Sequence, residues 1–201
     1  MQLPGIMMCM AAAFSVATTS VAVLAPAGAA LAADPSAQDT ANSAQADASA
    51  KHVHLQLTAP AQVAPCMPHA DVQVDVKLTT EKKGVDTFDI TMRNVAPNRD
   101  YTVFLLEQAG LPFGAAEYIG EVSADAYGNG HAEYRLIVQE AFASTIVNGQ
   151  RVRADLNHVG LWFADPKDDD FCGQINVVTP FDGDNEAGIL AFGSPDSLPL
   201  P

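Results

Sequence analysis

The sequence predicts an all-β fold, either an antiparallel sandwich or a barrel, and three observations support that class. Apolar and polar residues alternate with a period of two in several segments, which is typical of strands that bury one face. Turn-forming residues separate these segments at regular intervals, for example at 82–84, 96–100 and 125–130. No part of the chain after the N-terminal apolar run shows a long helical period.

The strands are expected in a regular order along the chain. Residues 71–79 give the clearest pattern, because every even position from Val72 to Leu78 is apolar and every odd position is polar. Residues 101–106 are apolar on both faces and fit a central strand. Residues 139–147 are expected to form one helical turn or a loop. Further strands are predicted at 52–58, 88–93, 118–122, 131–138, 151–163 (one bent strand or two), 174–178 and 189–192.

Residues 1–33 have the layout of a signal peptide. They contain no charged side chain, and an apolar run at 11–24 precedes Pro26 and Gly28. Small residues then provide an A-x-A cleavage site at 30–32, so cleavage is expected near Ala32 and the mature protein is expected to be secreted. A retained transmembrane anchor is the alternative, although the apolar run is interrupted by polar residues and falls short of about 20 apolar residues.

The rest of the chain divides into three parts by composition. Residues 34–51 have no aromatic or branched aliphatic side chain and are expected to form a flexible linker, because they cannot bury enough apolar surface to fold. Residues 52–193 contain the predicted strands and form the sandwich domain. The Pro- and Ser-rich residues 194–201 are expected to be a disordered tail.

The strong negative charge restricts the partners of the protein. The formal net charge of −14 argues against nucleic acid and against anionic membrane surfaces, since both attract basic proteins. High charge favours solubility outside the cell, and the sharper interpretation is that the acidic groups bind a divalent cation. A component of the cell envelope or a small molecule is the remaining class of partner.

Two cysteines remain once the signal peptide with Cys9 is removed. An even number of cysteines in an exported chain indicates a disulfide, so Cys66 is expected to pair with Cys172. This bond would close a loop of about a hundred residues, for which the chain-entropy model gives roughly 4–5 kcal/mol. Two free thiols, or a bond to another chain, are the alternatives.

Two segments resemble bacterial extracellular immunoglobulin-like domains. In NVAPNRDYTVFLLEQ a Pro/Asn turn leads into a Tyr-bearing strand, and in GEVSADAYGNGHAEYRLIV a hairpin joins two later strands. The order is similar to that of the neocarzinostatin-type apoproteins of actinomycetes, which are exported sandwiches that hold a chromophore in a cleft; NGQRVRADLNHVGLWFADP lies where that family has a comparable strand. The resemblance implies an immunoglobulin-like sandwich of seven to nine strands. The family has two disulfides where this chain has one candidate.

A His-x-His pair at His52 and His54 is a candidate copper or zinc site. Side chains two residues apart on a strand point to the same side, so both imidazoles would reach one metal ion. His69, His131 and His158 are the available third ligands. The alternative is that both histidines face solvent on an edge strand.

Two acidic loops flank Cys172 and are candidate calcium sites. Carboxylates at alternating positions around a glycine are hard oxygen ligands of the type that Ca²⁺ prefers. The alternative is solvated charge in surface turns. The candidate ligands are Asp165, Asp168, Asp170, Asp182, Asp184 and Glu186.

The single tryptophan, Trp162, is a candidate wall of a ligand cleft, with core packing or a partly covered sandwich edge as the alternative. The sequence has no G-x-S-x-G nucleophile motif. We therefore expect a non-enzymatic, extracellular or surface-associated domain that binds a partner or has a structural role. The alternatives are a metal-binding protein and a small-molecule carrier of the chromoprotein type.

Overall fold

The structure is a computed structural model that describes residues 51–173, 177–179 and 186–198. Within these residues it is almost entirely β, with one helical turn, α1 (Thr80–Lys83), and a 3₁₀ turn at Asp170–Cys172. The strands are β1 (Lys51–Leu57), β2 (Asp71–Leu78), β3 (Asp86–Arg93), β4 (Asp100–Leu106), β5 (Ala116–Ser123), β6 (Gly130–Leu136), β7 (Phe142–Val147), β8 (Gln150–Asp155), β9 (His158–Phe163) and β10 (Leu190–Gly193).

Eight of these strands form two antiparallel sheets that pack as a sandwich. Sheet I has the order β1-β2-β3-β6 and sheet II the order β10-β9-β4-β5, while β7 and β8 form a separate hairpin. Without β1 and the hairpin, β2-β3-β6 and β10-β9-β4-β5 follow the immunoglobulin orders A-B-E and G-F-C-C′. The predicted all-β antiparallel sandwich is confirmed, with β1 added beside the first strand and the hairpin inserted before β9.

The core lies between the sheets, where the alternating apolar residues of sheet I meet those of sheet II. Val74 of β2 lies opposite Ile90 of β3, and Val76 lies opposite Phe88, all buried. Their polar neighbours along each strand point to the outer face of sheet I. The period of two therefore separates core from solvent in this sheet, as the sequence indicates.

Sheet II differs because its two central strands, β4 and β9, are covered on both faces. After Asp100 every residue of β4 is buried, and Tyr101, Val103 and Leu105 contribute to the main core. Phe104 and Leu106 belong to a second apolar cluster. A strand that is apolar on both faces is expected where a further layer lies outside the sheet.

A buried carboxylate, Asp86, connects the chain before β3 to the chain after β6. Its Oδ1 accepts the backbone N–H groups of Thr79 and Thr80 at 2.6 and 2.8 Å, and its Oδ2 accepts those of Val138 and Gln139, both at 2.9 Å. Burial works to raise the pKa of Asp86, but the accepted hydrogen bonds, foremost that from Gln139, hold the pKa below its ordinary value.

The cysteine pair is placed as the sequence predicts. The sulfur atoms of Cys66 and Cys172 are bonded, their Cα atoms lie 5.6 Å apart, and 106 positions separate them in sequence. The bond joins the segment between β1 and β2 to the 3₁₀ turn after β9.

Several boundaries differ from those expected. Residues 139–147 do not form a helical turn, since they contain β7, and 151–163 form the two strands β8 and β9. The chain stays packed beyond residue 193. The apolar side chain of Leu198 is covered by the sandwich edge and is 2 % exposed, and its backbone N–H bonds to the Asn157 carbonyl at 2.6 Å. The expected signal peptide, most of the linker and part of the strand at 174–178 lie outside the described residues.

No helix among the described residues is long and apolar enough to cross a membrane.

Candidate ligand-binding cleft

The outer face of sheet II carries a second apolar cluster around Trp162. Phe104 of β4 and Trp162 of β9 point away from the main core, and Ala187 and Phe113 pack against them from outside the sheet. The cluster also includes Leu106 and Leu190. The β4–β5 connection and the residues before β10 thus form a third layer over part of the sandwich.

Two edge-to-face contacts fix the indole of Trp162. Its ring centroid lies 5.5 Å from that of Phe104 and 5.1 Å from that of Phe113, with interplanar angles of 78° and 81°. Gly160 leaves room on the same face, because a Cβ atom there would lie 2.6 Å from the indole Cζ3 and 2.8 Å from Leu106 Cδ1. Trp162 is only 1 % exposed, so it is a packed residue that also forms the base of a cleft.

A cleft of about 530 Å³ lies beside this cluster. Its walls come from the end of β1, the β4–β5 connection, β9, and the segments on either side of β10. The lining residues are Thr58, Ala59, Pro60, Gln62, Ala109, Gly110, Leu111, Phe113, Trp162, Val177, Thr179, Ile189, Leu190, Gly193, Ser194 and Pro195. None of them is charged.

Hydrogen bonds hold the cleft walls in place. Thr58 and Gly193 exchange two backbone hydrogen bonds of 2.9 Å, which tie the end of β1 to β10. In the β4–β5 connection, the Gln108 N–H bonds to the Phe113 carbonyl at 3.0 Å, and a Glu107 carboxylate oxygen accepts the Ala115 N–H at 2.9 Å. The walls are therefore formed before a ligand binds, which lowers the entropic cost of binding.

The polar groups of the cleft are few. Ser194 is 2 % exposed and its Oγ accepts the Val159 N–H at 3.0 Å, while its hydroxyl hydrogen takes part in no hydrogen bond with the described residues. Gln62 is exposed at the rim and carries an amide donor and acceptor. Leu111, at the tip of the β4–β5 connection, is 85 % exposed.

A buried carboxylate supports the cleft from behind. Asp169 is completely buried; its Oδ2 accepts the N–H of the cleft residue Ile189 at 2.8 Å, and its Oδ1 has no partner among the described residues. Burial raises the pKa of Asp169, the neighbouring Asp170 and Asp168 add to the rise, and the bond from Ile189 opposes it.

Two of the three candidate carboxylates of the first predicted calcium loop take part in hydrogen bonds within the fold. Asp165 accepts the Lys167 N–H at 2.8 Å, and Asp168 pairs with Arg99 at 2.8 Å. Asp170 begins the 3₁₀ turn. In the second predicted loop Glu186 is exposed, whereas Asp182 and Asp184 lie outside the described residues.

The histidine pair lies on the outer face of sheet I, where both His52 and His54 are exposed on β1. His54 Nδ1 lies 2.9 Å from Asp75 Oδ1, and on the same face His131 Nε2 lies 2.7 Å from Asp89 Oδ2. The described part of the chain contains no group of three or more His, Cys, Asp or Glu side chains placed to hold a metal ion. Metal binding at the histidines or the acidic loops stays a prediction.

No family model, curated protein or solved structure matches this chain.

The cleft was only partly visible in the sequence, which singled out Trp162 and none of the other walls. Those walls come from segments that are far apart along the chain, so no local spacing reveals them. Two signals were present: β4 is apolar on both faces, and the loop that follows it carries Leu111 and Phe113 where a surface turn is usually polar.

Proposed function

We propose that the protein is an exported, non-enzymatic binding domain that holds an uncharged, largely apolar small molecule in the cleft beside Trp162. The observation that carries this proposal is the cleft itself. A volume of about 530 Å³, aromatic and aliphatic walls and a few polar groups are the usual features of a small-molecule site.

The charges of the protein favour a neutral ligand. With a net charge of −14, the protein repels an anion before it reaches the cleft. A cationic ligand would call for a carboxylate in the walls to replace its lost hydration, and the lining residues that the structure describes contain none. Trp162 and Phe113 provide apolar aromatic surface, and the Ser194 hydroxyl and the Gln62 amide match a ligand that carries hydrogen-bond acceptors.

The lining also favours binding without chemistry. General acid–base and nucleophilic catalysis need a titratable or nucleophilic side chain close to the reacting atoms. The described walls contain no His, Cys, Asp, Glu, Lys, Arg or Tyr, so the hydroxyls of Thr58, Thr179 and Ser194 have no general base among the described lining residues to activate them as nucleophiles. Export and a carrier function are part of this proposal.

A pair of dyes with one ring system tests the charge preference. Nile red is neutral and Nile blue is its cationic relative, so the two differ mainly in charge. We expect Nile red to bind with one site per chain and about tenfold more tightly than Nile blue, a difference of about 1.4 kcal/mol. If Nile blue binds as tightly as Nile red or more tightly, the dyes bind the acidic surface and the proposal is wrong.

Two exposed side chains provide a variant and its matched control. Leu111→Asp places a charge at the rim of the cleft, whereas Tyr127→Asp changes an equally exposed apolar residue in the β5–β6 turn; their exposed fractions are 85 % and 84 %. Leu111→Asp should weaken Nile red binding about tenfold, since partial burial of a leucine is worth about 1.5 kcal/mol. Tyr127→Asp should leave it unchanged. Equal effects of the two variants would place the dye outside the cleft.

A further inference from the structure

The β7–β8 hairpin is a two-stranded sheet of its own, inserted between β6 and β9. Asn148 and Gly149 connect the strands with φ angles of 51° and 78°, as in the two-residue turns that favour Asn-Gly. Ala143 of β7 packs against the core, and Ala154 of β8, which lies opposite it, is buried. An isolated two-stranded hairpin is at best marginally stable in water, so further contacts would stabilise it.

The hairpin exposes large apolar side chains to solvent along β7. Phe142 is 50 % exposed, Ile146 55 % and Val147 49 %, and all three belong to β7. The sequence of this strand, FASTIV, contains no charged residue, Pro or Gly. Edge strands of monomeric proteins usually carry charges or prolines that prevent pairing with another chain, and β7 lacks both.

The register shows which backbone groups of β7 face its open edge. The two-residue turn closes on the pair Val147–Gln150, and beyond the other end the Leu156 N–H bonds to the Ala141 carbonyl at 3.0 Å. Hydrogen-bonded and non-hydrogen-bonded pairs alternate along an antiparallel ladder. The N–H and C=O groups of Phe142, Ser144 and Ile146 therefore point away from β8, to an edge that pairs with no other strand in the described part of the chain.

We propose that β7 is a self-association edge, at which a second copy of this chain adds its own β7 antiparallel across a two-fold axis at Ser144. The outward-facing residues are symmetric about that position. Phe142, two residues before Ser144, would lie opposite Ile146 of the second copy, and Ile146 opposite its Phe142. Each contact is thus an aromatic–aliphatic cross-strand pair, and the surface is complementary to itself as a two-fold interface requires.

The hairpin carries little of the negative charge that would keep two acidic copies apart. Its charged residues are Arg151, Arg153 and Asp155, all on β8, so the hairpin is locally basic in a chain of net charge −14. The Arg153 Nε pairs with Asp155 at 2.6 Å and its guanidinium lies 4.2 Å from the centre of the Phe142 ring, while Arg151 donates to Ser144 Oγ at 3.0 Å. Because the remaining charges of the two copies repel, association should strengthen as salt is added.

Cysteine cross-linking of the full chain tests the register. At a two-fold axis through a hydrogen-bonded pair, the Cα atoms of the two Ser144 residues would lie about 5.5 Å apart, within the range of a disulfide. Ser144→Cys should therefore give a dimer under mild oxidation, and peptide mapping should find a bond that joins the two introduced cysteines. Thr145→Cys is the matched control: the next position points to the opposite face, lies off the axis and should stay monomeric.

A second variant measures the same interface without oxidation. Ser144→Lys would place two lysines against each other at the axis and should weaken dimerisation at least tenfold in sedimentation equilibrium, whereas Thr145→Lys should weaken it less. Unchanged fluorescence of Trp162 verifies that each variant is folded. The proposal is overturned if the unmodified protein sediments as a monomer at high micromolar concentration in added salt. It is also overturned if both cysteine variants cross-link equally, or if dimers form only through Cys9, Cys66 or Cys172.

Discussion

Replacing Asp86 with asparagine should destabilise the protein strongly, because both carboxylate oxygens are in use. The four N–H groups that they accept belong to the chain before β3 and the chain after β6. An asparagine keeps one carbonyl oxygen, so its NH₂ group would face two backbone donors. Each lost hydrogen bond to a charged group is worth about 1.5–3 kcal/mol, and we expect a loss of about 3 kcal/mol in the free energy of unfolding at pH 7.

Urea unfolding followed by Trp162 fluorescence measures this loss, since the chain contains one tryptophan and it is buried. Asp125→Asn is the matched control. The two backbone N–H groups that Asp125 accepts, those of Tyr127 and Asn129, bond to the same carboxylate oxygen in an exposed turn, so an amide keeps them. That variant should be much less destabilised.

The pH dependence provides a further check. The folded state lowers the pKa of Asp86 below the ordinary value of 3.8, so its contribution is present above that value and is lost as the pH falls through the folded-state pKa. The difference between the wild type and Asp86→Asn should therefore shrink between pH 5 and pH 2. A loss below about 1 kcal/mol at pH 7, or a difference that stays constant with pH, would refute the reasoning.

Three other perturbations have definite expected outcomes. Asp169→Asn should raise the melting temperature at pH 7 and have little effect near pH 4. Burial raises the pKa of Asp169, so its ionisation costs stability as the pH rises through the folded-state pKa, whereas an asparagine stays neutral and its amide oxygen still accepts the Ile189 N–H. A lower melting temperature of the variant at pH 7 would contradict this. Gly160→Ala should displace the indole, shift the Trp162 emission and destabilise the fold by about 1–3 kcal/mol, because the new methyl group overpacks the cluster; an unchanged spectrum would contradict this. In the double variant Cys66→Ser, Cys172→Ser the free energy of unfolding, measured in urea, should fall by roughly 4–5 kcal/mol, as expected for a disulfide that closes a loop over 106 positions. A double variant as stable as the wild type would show that the bond contributes nothing.

The strands of the sandwich were predictable where one face of a strand is exposed to solvent and the other is buried. In β2 and β3 apolar and polar residues alternate in the sequence in the same way as buried and more exposed residues alternate in the structure, so the sequence predicts both the strands and their inner faces. In β7 this signal is absent, because five of its six residues are exposed and no core face imposes a period. The sequence alone therefore permitted a helical turn or a loop there.

The cleft was less predictable for a different reason. Trp162 and the apolar loop after β4 are visible in the sequence, but the cleft exists only because Thr58 bonds to Gly193 and brings the end of β1 beside β10. Those two residues are 135 positions apart. Local patterns describe which face of a strand is buried, and they do not describe which distant segments meet above that face.

Energy transfer from Trp162 to bound Nile red tests the central claim most directly. Trp162 forms part of the cleft wall, so a dye in the cleft lies within a few ångströms of the indole. We predict that Trp162 emission is almost fully quenched and that quenching saturates at one dye per chain. Dye binding that leaves Trp162 emission unchanged, or quenching that needs several dyes per chain, would contradict the proposed ligand site.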